Sequence, residues 1–334
     1  MARSAPRERL KSGLGDKITF MEFDIERELA GIKNDRDRGA SQLAEDGVRL
    51  MARALEKLAG HGSAEALESA RGIAARLRKA RPSMAPIGFW SASFYAELKR
   101  RLGQQSAGAL ERAMVDDVVS GVLECKKMMA EGVVKAAAAA LKDTGSIFTL
   151  SYSATVERIL VDSACEGVEV IVAESRPLNE GRSLASALLS VGRRVTLITD
   201  TQAGLFVGKS DVVLFGADTI CSDLAVVNKV GSYPVSLLAR ESGVDVIVAA
   251  DTSKINPAVS SQTVELEEKP GGEVWEDNPR ICRNIYFETV PWRLISGCVT
   301  ENGFLTKDEM EKEVQKVKRL FEDVAGQPFF KERT

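Results

Sequence analysis

The stretch "DVVLFGADTICSDLAVVNK", from Asp211 to Lys229, carries the signal that decides the fold. Residues 212–215 form an unbroken apolar run, which is typical of a strand buried on both faces of a parallel sheet. Gly216, Ala217 and Asp218 follow directly, so we expect them at the carboxyl end of that strand. Open α/β sheets bind ligands at this edge, which makes Asp218 a candidate site residue.

Four further apolar runs have the same strand-like character. They read SIFTLS at 146–151, VEVIVAE at 168–174, RVTLITD at 194–200 and DVIVAAD at 245–251. Helix-like stretches separate most of the runs, and strands that alternate with helices predict parallel βαβ crossovers. The second part of the chain is therefore predicted to be a doubly wound, mainly parallel sheet.

The chain before this region lacks strand-like runs and is rich in helix-forming residues. Ser63–Ala80 has apolar residues at helical spacing and is followed by Arg81-Pro82, which ends a helix. Residues 108–145 read as one long helix, bent at Gly121 or Gly132 or straight, and closed by Gly145. We therefore expect a helical domain at 1–142, ending in a connecting helix, and a sheet domain at 143–334.

A polar, turn-rich segment interrupts the predicted sheet domain. Residues 258–280 contain several charged residues together with Gly and Pro, which is typical of a surface excursion. The stretch NIYFETVP that follows is rich in β-formers. We expect it to return the chain to the sheet.

Composition and charge exclude several classes of protein. The chain has 334 residues, 44% hydrophobic and 28% charged, so it can bury a substantial core. Its 45 basic and 48 acidic residues leave a net charge of −3, which gives no general attraction to nucleic acid or anionic membranes. Five cysteines without a CxxC pair indicate neither a disulfide framework nor a zinc site. No stretch has the length of a membrane span. We expect a soluble cytoplasmic protein.

Polar residues follow each of the five predicted strands. They are Ser151, Tyr152, Ser153, Glu174, Ser175, Arg176, Thr199, Asp200, Asp218 and Asp251. Taken singly, each is better explained as a strand end or a helix cap. Because the carboxyl ends of parallel strands meet at one edge, the set as a whole favours a shared crevice.

The pair Asn228-Lys229 follows Asp218 after one loop. We expect the pair at the start of the helix in VVNKVGSYPVSLLARES, with Asn228 as its cap. Lys229 and the free backbone N–H groups of that helix start would then face an anion. A lysine at a helix start is usually solvated, but its proximity to Asp218 favours a substrate clamp.

The absence of several motifs narrows the chemistry. The chain has no GxGxxG motif and no P-loop, which argues against dinucleotide and NTP sites of those kinds. His61 is the single histidine and lies in a polar turn, so imidazole catalysis and histidine-ligated metals are disfavoured. The sequence therefore indicates no metal and no cofactor.

Four motifs in a fixed order carry a family resemblance. They are ESRPLNEG at 174–181, VTLITD at 195–200, GAD at 216–218 and NKVGSY at 228–233. They resemble the superfamily that joins the alpha, beta and delta subunits of translation initiation factor 2B with ribose-1,5-bisphosphate isomerase and 5-methylthioribose-1-phosphate isomerase. FETVPWRLISGCVTENG, at 287–303, is similar to the family's closing segment. The resemblance implies an α/β fold, in which a helical domain precedes a Rossmann-like domain, and a dimer.

The resemblance also implies a site. In the isomerases of this superfamily a sugar phosphate is bound between the domains, and an aspartate and a cysteine carry out the aldose–ketose conversion. By motif, the catalytic positions correspond to Asp218 and Ser151. The substrate-binding positions correspond to Arg38, Gly39 and Ala40 in DRGAS, Arg81 in RPSM, Glu180, Asn228 and Lys229.

Three departures from the isomerase pattern are visible. Ser151 stands where the cysteine is expected, and a serine hydroxyl is a much weaker acid than a thiol. Glu180 replaces a substrate-contacting glutamine and adds a negative charge. Asp223-Leu224 replaces an Asn-Gly turn, and Leu tolerates a positive φ poorly. By contrast, TLSYSATVERIL is more similar to the initiation-factor subunits.

Two functions fit these observations. The first is a regulatory subunit, similar to those of initiation factor 2B, that binds a phosphorylated pentose or a nucleotide-like molecule. The second is an aldose–ketose isomerase acting on ribose 1,5-bisphosphate or methylthioribose 1-phosphate. An unrelated phosphosugar or nucleotide activity on the same fold is a third possibility. The resemblance implies a homodimer or higher oligomer and, for the first function, initiation-factor subunits as partners.

Overall fold

The first part of the chain is helical. The computed structural model describes residues 24–325 apart from 36–37, 105–108, 163–164 and 166. Its first helices are α1 (Ile25–Asn34), α2 (Ala40–Glu56), α3 (Ser63–Ala80), α4 (Ala85–Gln104) and α5 (Arg112–Ala140). The predicted bounds of α3 are confirmed, because Arg81 leaves the helical conformation ahead of Pro82. Helix α5 passes through Gly121 and Gly132 but ends earlier than the predicted Gly145.

Strands and helices alternate after α5. In chain order they are β1 (Ser146–Leu150), α6 (Ala154–Val161), β2 (Glu169–Ala173), α7 (Glu180–Ser190), β3 (Arg194–Ile198), α8 (Ala203–Phe206), β4 (Val212–Phe215), β5 (Thr219–Cys221), β6 (Val226–Lys229), α9 (Ser232–Ser242), β7 (Asp245–Ala249), β8 (Ile255–Asn256), β9 (Phe287–Val290), β10 (Gly297–Thr300), β11 (Gly303–Leu305) and α10 (Lys307–Ala325). All five predicted strands are confirmed, as β1 to β4 and β7.

These five strands lie in a seven-stranded sheet with the order β11-β10-β7-β4-β1-β2-β3. Every pairing is parallel except the β10–β11 hairpin. Side chains of α5, α6 and α7 cover one face of the sheet, and those of α8 and α9 cover the other. The predicted doubly wound α/β architecture is therefore confirmed. The strand order reverses between β1 and β4, which defines a switch point.

A second sheet extends from the carboxyl edge of the first. Its order is β8-β5-β6-β9, and β5 follows β4 directly in the chain. The prediction that NIYFETVP returns to the main sheet is wrong, because β9 pairs antiparallel with β6. The outer positions of the main sheet are held by β3 and β11, so β9 finds its backbone partners in the small sheet.

The last helix returns to the helical part of the chain. Met310, Val314 and Phe321 of α10 are buried in the same apolar cluster as Leu77 and Phe94. This cluster also includes Ile220 and Val226 of the small sheet, so one core connects the helices to the carboxyl edge of the main sheet. No helix within the described ranges has the length and apolar character needed to cross a membrane.

Candidate functional site

A cavity of about 340 Å³ lies at the switch point between β1 and β4. Ser151 follows β1 and Asp218 follows β4, and both line this cavity. Gly39 and Trp90, from the helical part, line it as well. The volume is in the range of small-molecule sites, and the position is the one that open α/β sheets use for ligands.

Two glycines allow the strand ends and helix starts to approach each other closely. A Cβ atom on Gly216 would lie 2.3 Å from Ser153 Oγ, at the start of α6. A Cβ atom on Gly181 would lie 2.1 Å from the carbonyl oxygen of Ala173, at the end of β2. Since neither distance is sterically possible, only glycine permits these contacts. The glycines of the GAD and ESRPLNEG motifs therefore bring α6 and α7 against the edge that holds the cavity.

Asp218 has the environment of an acid–base group. Its backbone N–H donates to Val227 O, whereas its carboxylate accepts no hydrogen bond from the described residues. Desolvation by the surrounding protein raises the pKa of Asp218 above 3.8, and the attraction of Lys254 and Lys229 opposes this shift only in part. A carboxyl group with a raised pKa and free oxygens can exchange a proton with a ligand in the cavity.

Lys229 lies in the wall of the cavity and is paired with Glu180. Its side chain is only 6% exposed, and Nζ donates to Glu180 Oε1 at 2.6 Å. The ring of Tyr286 covers the ammonium group at 4.3 Å. The second oxygen of the Glu180 carboxylate, Oε2, is buried and has no hydrogen-bond partner in the described structure. The cation expected to face an anion therefore already has a carboxylate partner.

The predicted position of Asn228-Lys229 at a helix start is wrong. Both residues belong to strand β6, and α9 begins three residues after Lys229, at Ser232. Gly231, two residues after the end of the strand, has a φ of 106° and allows the chain to turn into the helix. Asn228 contacts the helix start through its Nδ2, which donates to Ser232 Oγ at 2.8 Å.

The N–H groups at the start of α9 are also not free for an anion. Glu288 Oε1 accepts from the N–H groups of Gly231 and Tyr233, at 2.6 and 2.8 Å. Glu288 is opposite Asn228 in the β6–β9 pairing, which places its carboxylate at the helix start. This carboxylate occupies the position that the sequence assigned to a ligand.

The two predicted phosphate-binding arginines are outside the cavity wall. Arg38 is ion-paired with Asp35 and Asp46 and is 44% exposed. Arg81 is buried and donates to Glu267 Oε1 and Oε2 at 2.9 and 3.1 Å. Gly39 and Ala40, by contrast, line the cavity. The structure thus brings together all the candidate residues except Arg38 and Arg81.

Two helix starts supply the backbone N–H groups of the cavity. Residues 39–41 at the start of α2 and 153–155 at the start of α6 line it. Gly39 makes no side-chain capping bond, and the first-turn N–H groups of a helix have no acceptor within the helix. Arg158 also lines the cavity and forms no ion pair with the described residues. Together these groups form a wall whose hydrogen-bond donors and positive charge suit an anion.

Ser151 is buried and has a left-handed backbone conformation, with a φ of 61°. Within the described ranges no side chain accepts a hydrogen bond from its hydroxyl. A serine without a neighbouring base is a poor proton donor or nucleophile.

Leu224 adopts the positive φ that the sequence comparison led us to expect at the position of the Asn-Gly turn. This residue is buried, and its φ is 63°.

Sequence reasoning missed several functional residues at or near the cavity, among them Arg158, Lys254, Tyr286 and Glu267. Lys254 lies three residues after Asp251, in the turn that follows β7. Because it is so near the end of a predicted strand, the sequence could have indicated Lys254 as a site residue. Tyr286 and Glu267 belong to the segment between β8 and β9. Glu267 lies in the predicted surface excursion at 258–280, whereas Tyr286 lies in NIYFETVP, the stretch predicted to return to the sheet, and no local pattern marks either residue.

Comparisons with known proteins agree with the motifs. The family model described as "Initiation factor 2 subunit family" matches residues 36–307. A putative translation initiation factor eIF-2B subunit 2-like protein of Pyrococcus furiosus is 32% identical over 280 residues, which are 83% of this chain and 94% of that protein. A ribose 1,5-bisphosphate isomerase of Haloferax volcanii is 29% identical over 318 residues, which are 92% and 95% of the two chains.

Several solved structures are similar to this protein over most of its length. The crystal structure of a Pyrococcus horikoshii translation initiation factor eIF-2B aligns with a TM-score of 0.70 and 29% identity, over 85% of this chain and 97% of that one. This similarity agrees with the order of helices and strands described above. Since the family model covers most of the chain, and the ordered motifs lie within the matched residues, the chain belongs to the initiation factor 2 subunit family.

Proposed function

We propose that this protein binds a phosphorylated pentose or a nucleotide-like molecule and acts as a regulatory subunit related to those of initiation factor 2B. The observation that carries the proposal is Ser151, which lines the cavity without a neighbouring base. The groups suited to a phosphate, namely the starts of α2 and α6 with Arg158, are nevertheless in place. A cavity that can bind the ligand but lacks the second proton-transferring group fits a sensor better than an enzyme.

The name of one relative is compatible with this proposal. The similar protein of Pyrococcus furiosus carries the name of an initiation-factor subunit. By extension we propose that this chain forms a homodimer or higher oligomer and works with initiation-factor subunits. We place it in the cytoplasm, where its five free cysteines would stay reduced.

An aldose–ketose isomerase is the second candidate, and Asp218 is the observation that favours it. In an aldose 1-phosphate the phosphate blocks the anomeric oxygen, so ring opening needs an acid before a proton moves from C2 to C1. The raised pKa and free oxygens of Asp218 suit this role. Ser151 or a water molecule would then have to replace the thiol. Loss of a thiol acid–base group slows such a step by about 10²–10⁴-fold.

Incubation with ribose 1,5-bisphosphate or methylthioribose 1-phosphate separates the two functions. We expect each ligand to raise the melting temperature of the purified protein without conversion to the ketose, followed by NMR. Turnover that Asp218→Asn abolishes would contradict the regulatory function and support the isomerase. Absence of both stabilisation and turnover would contradict both functions.

A further inference from the structure

The cations of the predicted site differ in whether a carboxylate already neutralises them. Lys229 is paired with Glu180 at 2.6 Å. Arg81 is paired with Glu267 at 2.9 Å, and Arg38 is paired with Asp35 and Asp46. Arg158, Lys254 and the starts of α2 and α6 form no ion pair in the described part of the chain, and Lys254 lies close enough to Asp218 to lower its pKa. Apart from Lys254, which faces the carboxylate of Asp218, the groups that remain available to an anion thus lie at the starts of α2 and α6.

The wall around Lys229 contains two acceptors to which no described residue donates a hydrogen bond. Glu180 Oε2 is buried without a partner, and the carboxylate of Asp218 accepts no hydrogen bond from the described residues. A buried acceptor without a donor is unfavourable, so this wall is best satisfied by a group that donates. Sugar hydroxyls donate, whereas a phosphate dianion supplies acceptors and would repel both carboxylates.

We infer that Glu180 determines the charge of the ligand, so that the cavity accepts a sugar with a single phosphate in preference to a sugar bisphosphate. The inference rests on the proposed binding function, because it concerns the same cavity. The single phosphate binds at the starts of α2 and α6, and the hydroxyls of the sugar contact Glu180 and Asp218. A second phosphate would compete with Glu180 for Lys229 and leave a partly buried carboxylate unpaired.

Replacing Glu180 by an amide should remove this selection. Titration calorimetry would compare ribose 1-phosphate with ribose 1,5-bisphosphate, which differ only in the second phosphate. We expect the wild-type protein to bind ribose 1-phosphate more tightly. In Glu180→Gln, affinity for ribose 1,5-bisphosphate should rise about tenfold relative to ribose 1-phosphate, which equals about 1.4 kcal/mol.

Two further variants serve as a control and as a second test of Glu180. Glu169→Gln removes a carboxylate from an ion pair with Arg194 at the opposite end of β2, and it should leave the ratio of the two affinities unchanged. Glu180→Ala should change the ratio in the same direction as Glu180→Gln, which covers the case in which the amide variant does not fold.

The outcomes distinguish the inference from the proposed function. A wild-type preference for the bisphosphate, or a ratio that neither Glu180 variant changes, would overturn the inference while leaving sugar-phosphate binding intact. If neither ligand binds to any of these proteins, the proposed function fails, and the inference fails with it.

Discussion

Asp218 shows at the scale of one residue how the fold changes ordinary chemistry. In water its carboxyl group would be ionised throughout the neutral range. At the end of β4 the surrounding protein desolvates it, and the two lysines nearby only partly compensate. The protein therefore holds an unfavourable, partly desolvated carboxylate at a position where a ligand would meet it. A desolvated carboxylate lowers the free energy of unfolding. Groups of this kind are common at functional sites.

We predict that Asp218→Asn raises the melting temperature of the unliganded protein at pH 7 by about 2 °C or more, because an amide carries no charge to desolvate. The pKa of Asp218 in the folded protein is raised above 3.8. The contribution of Asp218 to the free energy of unfolding is therefore fully present below pH 3.8, and it is lost as the pH rises through the folded-state pKa. The difference between the two proteins should therefore shrink toward pH 4 in thermal denaturation at a series of pH values.

Asp211→Asn provides a control of opposite sign. Hydrogen bonds from the N–H groups of Gly145 and Ser146 lower the pKa of Asp211. Its contribution to stability is present above the ordinary carboxyl range and is lost as the pH falls through the lowered pKa. The Asp211 variant should be less stable than wild type at pH 7. An Asp218 variant that is also destabilised at pH 7 would contradict the prediction.

At the scale of secondary-structure elements, helix α10 is the element whose position local sequence could not predict. It lies at the end of the sheet half of the sequence but packs on α3 and α4. Phe321 is 2% exposed, and the guanidinium carbon of Arg78 is 5.6 Å from the centre of its ring. Burial in this core also lowers the pKa of Arg78 to about 10. The helix therefore closes the helical core from outside its own stretch of sequence.

We predict that Phe321→Ala destabilises the protein by about 3–5 kcal/mol, because it removes a buried ring and leaves a cavity. Denaturant unfolding measures this change. Asp323→Ala is the matched control on the same helix, since Asp323 forms an exposed ion pair with Lys99 at 2.6 Å. Exposed pairs contribute less than about 1 kcal/mol. Equal effects of the two substitutions would show that α10 does not close the core.

At the scale of the whole molecule, apolar side chains remain exposed on the helices that cover the sheet. On the face of α8 and α9, Leu205 is 63% exposed and Leu237 is 41% exposed. Leu189 of α7, on the other face, is 60% exposed. Exposed leucines are common singly, so their grouping on neighbouring helices is the relevant feature.

We predict a dimer that uses the face of α8 and α9. Sedimentation of the purified protein should give about twice the chain mass of 36.1 kDa. Leu205→Lys combined with Leu237→Lys should shift the protein toward the monomer, because a lysine would be desolvated in the contact. Met128→Lys, at an exposed position of α5, should leave the dimer unchanged. A wild-type protein that sediments as a monomer would refute this proposal.

The sequence by itself determined the strands β1 to β4 and β7, the bounds of α3 and the edge that carries Ser151 and Asp218. The physical reason is that a parallel strand buried on both faces requires a continuous apolar run, which is a local property of the chain. The proposed division near residue 143 also follows from local composition. The family motifs identified Glu180, Asn228 and Lys229 as candidate site residues. They did not predict which strand or helix holds each of these residues.

Only the tertiary structure decided which charges meet. Arg81 and Glu267 are 186 residues apart in the sequence, and Lys229 and Glu180 are 49 apart. The pairing of β9 with β6 and the return of α10 to the helical core depend in the same way on contacts between distant segments. Such contacts are fixed by the packing of the whole chain, and no local pattern of residues encodes them. For this reason the sequence predicted the position of the cavity but not the charges that are already neutralised in its wall.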